Sequence, residues 1–497
     1  MADSQPNTSR SIAFAAVTTL FFAWGFITSL VDPLVAAVKG IFTLSDVEAQ
    51  LSASAFFMAY GLVSFPAAIL LARLKSVPSI LVALGTMIGG CVLMLIAANV
   101  ALYPLVLLGL FILASGITIL QVAANPLAAA LGDPKGSHFR LTLSQTFNSV
   151  GTFLGPMIGS GLFLRGLEIK DGSILTDAVR NDALNGIDTA YFWLSALILA
   201  LMLFFFLSRK VVTTAAPPQN ANAAREVATL LRSTLASPLG IIGIAGIIVF
   251  AGTALLGITL PVDQTFGGTV AIVLLFIVLG LKLNSRWALL GGIAIFVYVG
   301  AEVAIGTQMA LFLNSDAIMG GSDALLAVPG VSLVVPQDGL LGLSLEQAGK
   351  AVSLYWGGAM IGRAIGAALL ARFDAARLLA AFAVVATVLC LYIVVVGGVN
   401  AGFVALAIGL FNSIMFPVIF TLTLERSTAS EEATSGYLCT AIVGGAIVPL
   451  IVGRLSATSG YAGAFIAPAL CYALLVVFAF AASRAAVRRA SVTGSTH

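Results

Sequence analysis

The chain is a succession of apolar segments, each long enough to cross a lipid bilayer. A membrane-spanning helix needs about 20 consecutive apolar residues, and runs of that length recur between short polar intervals over almost the whole sequence. In the first half the pattern predicts helices at 11–38, 49–73, 77–98, 103–131, 140–164 and 189–208. In the second half it predicts helices at 287–313, 348–371, 376–397, 401–424, 434–455 and 460–483. We therefore expect two bundles of six helices.

The interval between these two units has a pattern of its own. A polar stretch at 209–237, loop-like over 215–224, predicts a solvated linker. Two further apolar runs follow, at 239–259 and 268–283, and we interpret them as two inserted membrane helices. The alternative is a pair of re-entrant or peripheral helices, because the second run is near the lower length limit for a span. The expected domains are thus 11–208, 209–286 and 287–484.

Composition agrees with a chain immersed in lipid. Hydrophobic residues make up 60% and charged residues 9% of the sequence, and the mean hydropathy is +1.09. The four cysteines lie within apolar runs, so we expect neither a disulfide framework nor a metal site. The sequence has two histidines and lacks HExxH and GxSxG motifs, which argues against an enzyme. No cofactor and no nucleic-acid partner are expected.

The positions of basic residues predict the orientation of the spans. Lys and Arg collect at one side if the two inserted helices are counted, as with Arg73, Lys75, Arg209 and Arg484. Basic loops stay in the cytoplasm. We therefore expect cytoplasmic termini in a multi-pass protein of the cell membrane, the inner membrane if the source is bacterial. A monomer is expected.

Two carboxylates interrupt the apolar runs at membrane depth. Asp32 lies in the first predicted helix and Glu302 in the seventh, at similar places in the two halves. A charge at the centre of a bilayer costs roughly 2.5 kcal/mol or more, so such an acid usually has a function. We interpret Asp32 and Glu302 as ion-coupling residues of a transporter. Arg363 is a further buried charge, either a partner of one acid or a side chain that reaches toward the cytoplasm.

Amide and aromatic side chains at the same depth suggest a sugar site. Amides both donate and accept hydrogen bonds, as sugar hydroxyls do, and aromatic rings can stack on the apolar face of a pyranose. The alternative is that the amides only join helices, a common role in membranes. The expected substrate-binding residues are Trp24, Gln121, Asn125, Gln145, Asn148, Tyr355, Trp356 and Asn412.

The two halves also resemble each other weakly. Residues 69–74 (ILLARL) correspond to 368–373 (ALLARF), and an aromatic-glycine segment precedes each buried acid. Their common order along both halves favours a six-plus-six repeat.

Several segments resemble the fucose, glucose/galactose and related sugar:cation symporters of the major facilitator superfamily. The resembling segments are 21–26 (FFAWGF), 116–126 (GITILQVAANP), 138–149 (HFRLTLSQTFNS), 298–302 (YVGAE), 355–363 (YWGGAMIGR) and 409–417 (GLFNSIMFP). The resemblance implies an all-α membrane protein with the major facilitator fold, two six-helix bundles, and here two extra helices between them. It covers the twelve core helices but not the inserted pair.

The resemblance also implies a function. In the fucose/proton members the acid that Asp32 matches takes part in proton coupling and sugar binding, and a second acid stands where this chain has Gln121. The combination of Gln121 and Glu302 is more similar to the glucose/galactose branch. We expect proton-coupled uptake of glucose or galactose by alternating access. Open alternatives are sodium coupling, a related sugar such as N-acetylglucosamine, fructose, mannose or fucose, and a drug/proton antiporter.

Overall fold

The computed structural model describes most of the chain. The described residues are 5–131, 137–165, 167, 176–215, 221–241, 245, 273–320, 327–328, 331–332, 342–370, 372–429 and 431–486. They are predominantly helical. Ten helical segments among them are long and apolar enough to cross a membrane.

The N-terminal half, which we define as α1 to α7, follows the predicted order closely. Its helices are α1 (Gln5–Ser29), α2 (Val31–Ile41), α3 (Asp46–Leu74), α4 (Ser76–Val100), α5 (Tyr103–Ala130), α6 (Ser137–Phe163) and α7 (Asp177–Ala215). The first predicted span is thus divided into α1 and α2. The sixth is a helix that extends beyond 189–208 at both ends.

The C-terminal half, which we define as α10 to α17, is preceded by two connecting helices. These are α8 (Ala221–Leu235) and α9 (Val273–Lys282). The half itself consists of α10 (Arg286–Asn314), α11 (Leu345–Leu370), α12 (Ala375–Val396), α13 (Gly398–Asn412), α14 (Met415–Arg426), α15 (Glu431–Thr440), a 3₁₀ turn (Ala441–Val443), α16 (Gly444–Gly463) and α17 (Ile466–Arg484). A π-helical turn (Asp316–Gly320) follows α10, and Ala327–Val328 pairs antiparallel with Val331–Ser332.

Prolines explain two of the helix breaks. Proline has no N–H to donate to the carbonyl four residues earlier. Pro33 therefore leaves the Ser29 carbonyl without its helical donor, and α1 ends at Ser29. Pro417 does the same for Ser413, which lies between α13 and α14. Both breaks fall next to a predicted site residue, Asp32 or Asn412.

The connecting segment differs from the solvated linker that we expected. Its helix α8 covers most of the polar stretch, and Thr234 is fully buried. Leu231 of α8, Phe65 of α3 and Phe276 of α9 line one apolar cleft. The Phe276 ring stacks on Tyr437 of α15 at 4.8 Å between centroids. Most of the predicted inserted helix at 239–259 lies outside the described residues, and so does the first part of the run at 268–283.

Small residues let helices approach closely inside each half. A side chain at Gly25 of α1 would collide with the Asn148 backbone of α6, and one at Gly409 of α13 would collide with the Tyr355 backbone of α11. Without a hydrophobic drive between helices in lipid, such close packing supplies much of the association energy. The packing also fixes the positions of Asn148 and Tyr355 along the helix axes, relative to α1 and α13.

At one end of the molecule, which we call the Lys39 end, polar side chains join the two halves. Lys39 of α2 pairs with Asp46 at the start of α3, with 2.5 Å between Nζ and Oδ1. From the C-terminal half, Ser456 donates to Asp46 Oδ2 at 3.0 Å, and the Tyr461 hydroxyl lies 2.7 Å from Lys39 Nζ. The Lys39 end is therefore closed.

Buried amides extend this contact toward the interior. Gln50 of α3 is hydrogen-bonded to Gln308 of α10, and Gln308 donates to Ser456 at 2.9 Å. Below them, Ser54 of α3 donates to the Ala446 carbonyl of α16. These groups are buried, so their hydrogen bonds compensate for lost solvation at the interface.

Candidate functional site

Asp32 lies at the interface between the two halves. It stands in the first turn of α2 and is 4% exposed. Its Oδ2 accepts a hydrogen bond from Nε1 of Trp356 of α11, at 2.6 Å. Gly306 of α10 faces the same carboxylate, and a Cβ there would lie 3.2 Å from Oδ1. Asp32 is thus enclosed by groups of the opposite half.

Glu302 has its partners within the C-terminal half. The Tyr298 hydroxyl, one helical turn away on α10, lies 2.7 Å from Glu302 Oε1. It also lies 2.9 Å from the carbonyl oxygen of Asn412, the last residue of α13. The backbone carbonyl of Glu302 accepts from the Tyr355 hydroxyl at 3.2 Å.

Asn412 connects two tyrosines in the same network. Its Nδ2 donates to the Tyr355 hydroxyl at 2.6 Å, and its Oδ1 accepts from the Tyr472 hydroxyl of α17 at 2.7 Å. All three side chains are fully or almost fully buried. In this state Asn412 therefore joins helices, the alternative that the sequence left open for such amides.

The predicted amides of α5 differ in their surroundings. Gln121 donates from Nε2 to the hydroxyl of Tyr60 of α3, at 2.8 Å. Asn125, one turn further on the same face, has a buried Oδ1 without a hydrogen-bond partner in the described part of the chain. A buried acceptor left unpaired is costly. The Asn125 Oδ1 atom is therefore a buried acceptor that is left unpaired in this state.

The predicted residues of α1 and α6 lie side by side. Asn148 donates from Nδ2 to the Phe21 carbonyl at 3.1 Å. Trp24 is buried against Phe21, with 4.1 Å between ring centroids. The Gln145 side chain is half-buried on the same helix as Asn148.

Arg363 of α11 extends across the interface. Its guanidinium donates to the Ser149 hydroxyl of α6 and lies 3.5 Å from the Gln145 carbonyl. Its Nε donates to the Ser413 carbonyl at 3.4 Å, the group that Pro417 leaves without a helical donor. Arg363 also interacts electrostatically with Glu302. It is therefore a cross-interface donor rather than a side chain that reaches only for the cytoplasm.

The structure thus arranges the predicted residues in three groups. Asp32 and Trp356 form a pair across the halves, Glu302, Tyr355 and Asn412 share one network, and the remaining predicted residues lie on α1, α5 and α6. Sequence reasoning missed Tyr60, Tyr472 and Ser149 as partners. Their signal is weak, because a lone hydroxyl in an apolar run is common in membrane helices.

The arrangement offers a titratable carboxylate and several hydroxyl and amide groups around one interface. Within the described ranges, no group of three or more His, Cys, Asp or Glu side chains is placed to hold a metal ion. Hydroxyl and amide groups both donate and accept hydrogen bonds, as the hydroxyls of a polar ligand do.

Comparisons with known proteins address the family and the fold of the chain. A sequence profile described as Major Facilitator Superfamily matches residues 13–313. A glucose/galactose transporter of Brucella abortus is 34% identical over 97% of this chain and 96% of its own length. The L-fucose-proton symporter of Escherichia coli is 29% identical over 96% of this chain and 95% of its own length.

A solved structure shares the architecture. The crystal structure of a variant of the Escherichia coli fucose:proton symporter superimposes with a TM-score of 0.61 and 25% identity. The match covers 96% of this chain and all of the other. The similarity therefore extends over both halves.

Proposed function

This chain belongs to the Major Facilitator Superfamily, and we propose that it takes up a monosaccharide, glucose or galactose, together with a proton. The chain is a multi-pass membrane protein, with ten described segments able to span a bilayer. A transport role accords with the printed names of its relatives, which are a glucose/galactose transporter and an L-fucose-proton symporter.

One observation carries the proposal. Asp32 is an almost fully buried acid whose hydrogen-bond partner, Trp356, belongs to the opposite half of the molecule. In transporters of this architecture the substrate site lies near the bilayer midplane between the halves. A group that gains or loses a proton at that interface can link ion movement to the rocking of the halves.

The sugar would bind beside this acid. We propose that Gln121, Asn125, Gln145 and Asn148 contact its hydroxyls from the N-terminal half, with Asn412 on the opposite side. The unpaired Asn125 Oδ1 supports this assignment, because a sugar hydroxyl would satisfy it. Trp24 and Tyr355 would flank the ring, whereas the Trp356 indole is held by Asp32.

The direction of opening follows from the proposed topology. With cytoplasmic termini the Lys39 end is extracellular, so its polar contacts close the outer side. Proton entry through the electrical potential supplies about 2.3 kcal/mol per charge per 100 mV, enough for roughly 50-fold accumulation.

We further propose that the chain acts as a monomer in the cell membrane and has no enzymatic activity.

The coupling ion is proposed to be a proton. The name of the fucose relative supports a proton, and a carboxylate held by an indole N–H is a simple acceptor for one. A sodium ion would require several oxygen ligands at one point.

We further propose that the chain has three domains, at 11–208, 209–286 and 287–484.

Counterflow tests the substrate assignment. Proteoliposomes loaded with unlabelled glucose would be diluted into radiolabelled glucose, with galactose, fucose, fructose, mannose and N-acetylglucosamine as competitors. We expect exchange that glucose and galactose suppress best, and exchange that persists in Asp32→Asn because counterflow needs no net proton movement. Absence of exchange for every sugar in the wild type would reject the proposal.

A further inference from the structure

The indole of Trp356 is the donor that holds Asp32 across the interface. Trp356 Nε1 lies 2.6 Å from Asp32 Oδ2, and the two residues belong to α11 and α2, in opposite halves. An indole N–H can donate but cannot accept. The carboxylate must therefore be the acceptor, and an ionised carboxylate accepts more strongly than a protonated one.

The position of this indole is fixed by its own half. The Trp356 ring lies edge-to-face against Tyr355, with 5.1 Å between centroids and 72° between planes. Tyr355 is in turn held by Asn412 and by the Glu302 carbonyl. On α10, a Cβ at Gly306 would lie 3.3 Å from Trp356 Cζ2. The donor therefore moves with the C-terminal half.

Separation of the halves would break this bond at a cost that depends on a proton. When Asp32 is ionised, separation of the halves breaks the bond from the Trp356 N–H to the charged carboxylate. Leaving such groups unpaired costs free energy. When Asp32 is protonated, the bond that is lost is weaker. In the described part of the chain, Glu302 and Tyr355 also interact electrostatically with Asp32. Both move with the C-terminal half, as Trp356 does.

We propose that Trp356 is a positioning residue through which the protonation of Asp32 controls separation of the two halves. This inference rests on the proposed proton-coupled sugar transport. It differs from the role expected from the sequence, in which the Trp356 ring only stacks on the sugar. A stacking ring contributes to sugar affinity, whereas a coupling donor contributes to accumulation.

The two roles are separated by Trp356→Phe, which retains an aromatic ring and removes the N–H. Trp193→Phe is the matched control, because Trp193 lies on the outer surface of α7 and is 67% exposed. Each variant would be tested in proteoliposomes for glucose counterflow and for glucose accumulation driven by a proton gradient.

We expect accumulation in Trp356→Phe to fall about tenfold relative to Trp193→Phe, while its KM in counterflow stays within about twofold. Trp356→His, which retains a ring N–H, should recover part of the accumulation. Such a recovery would show that the loss of accumulation in Trp356→Phe is not caused by misfolding.

Three outcomes would overturn the inference. One is accumulation in Trp356→Phe equal to that in Trp193→Phe. Another is a large rise in counterflow KM or loss of exchange, which would assign the ring to sugar binding or to structure. Absence of exchange in the wild type would reject the proposed function and this inference together, whereas the first two leave the proposed function intact.

Discussion

At the scale of single residues, the two carboxylates at membrane depth, Asp32 and Glu302, have different partners. Asp32 is bound by a donor from the opposite half, whereas Glu302 is bound by Tyr298 of its own helix. Separation of the halves therefore changes the surroundings of Asp32 directly. It leaves the bond from Tyr298 to Glu302 in place.

The importance of both acids could be predicted from the sequence, because a carboxylate in an apolar run is costly wherever it points. Their partners could not be predicted. Trp356 is 324 positions from Asp32, and only the packing of α11 against α2 and α10 brings the indole to the carboxylate. From the sequence, Trp356 is predicted to stack on a sugar through its ring. The bond from its N–H to Asp32 is visible only in the structure.

Glu302→Gln should weaken coupling without loss of sugar exchange. The amide oxygen can still accept from Tyr298, so the local network should survive, but the side chain no longer titrates. We expect proton-driven glucose accumulation to fall at least about fivefold, because the side chain loses its charge and its charge-assisted bond. We expect the rate of counterflow to change less than about threefold, because the amide keeps the bond from Tyr298. Uptake assays in proteoliposomes measure both. Glu346→Gln, which affects a pair with Lys350 at the start of α11, is the control; equal accumulation in the two variants would contradict a coupling role for Glu302.

Asn412→Leu should destabilise the protein. The change leaves the buried hydroxyls of Tyr355 and Tyr472 without their partner, at a cost of about 1–2 kcal/mol. Thermal unfolding in detergent should show a lower midpoint than for Asn99→Leu, a change at an exposed asparagine. A midpoint equal to that of the control would show that the network contributes nothing to stability.

At the scale of elements, the positions of the helices follow from hydropathy but their interruptions do not. The predicted limits of α3, α4, α5 and α12 lie within a few residues of those observed. The sequence predicts one helix over 401–424, whereas the structure divides it into α13 and α14. The consequence of this break, a free carbonyl that receives Arg363 from α11, depends on the neighbouring helix and is invisible in a local pattern.

The connecting segment contains a helix that hydropathy alone does not reveal. The polar composition of 209–237 predicted a solvated linker, yet α8 places Leu231 against α3 and α9. A short apolar stripe on an otherwise polar helix has little weight in a window of about 20 residues. The role of this helix therefore had to come from the structure.

Pro417→Ala should slow transport without loss of stability. An alanine N–H can bond to the Ser413 carbonyl and compete with Arg363 Nε for it. We expect glucose uptake to fall several-fold, to about a third or less, while the unfolding midpoint is unchanged or raised. Pro66→Ala, at an exposed proline inside α3, is the control. Uptake that matches this control would mean that the break at Ser413 has no part in transport.

At the scale of the whole molecule, the Lys39 end explains an exception in the charge pattern. Lys39 is a basic residue on the side where acidic residues prevail, and the structure pairs it with Asp46. Ser456 and Tyr461 of the C-terminal half join the pair. Which loop residues meet across the halves could not be read from the sequence, because α3 and α16 are far apart along the chain.

Asp46→Asn should loosen this contact. The change removes the charge that Lys39 approaches and weakens the bond from Ser456. A cysteine introduced as Ser54→Cys, buried just below the contact, should react with an impermeant maleimide at least about threefold faster in the Asp46→Asn background. Asp188→Asn, which affects a hydrogen bond between Asn99 of α4 and Asp188 of α7, is the control background. Equal labelling rates would indicate that the contact does not keep this end closed.

We propose above all that sugar and proton cross the membrane together and that Asp32 couples their movements. The most direct measurement records glucose and proton movement at once, in proteoliposomes with a trapped pH indicator, for the wild type and for Asp32→Asn. We expect a glucose gradient to drive internal acidification in the wild type, and we expect Asp32→Asn to exchange glucose without moving protons. Glucose movement without acidification in the wild type, or acidification that persists in Asp32→Asn, would contradict the proposal.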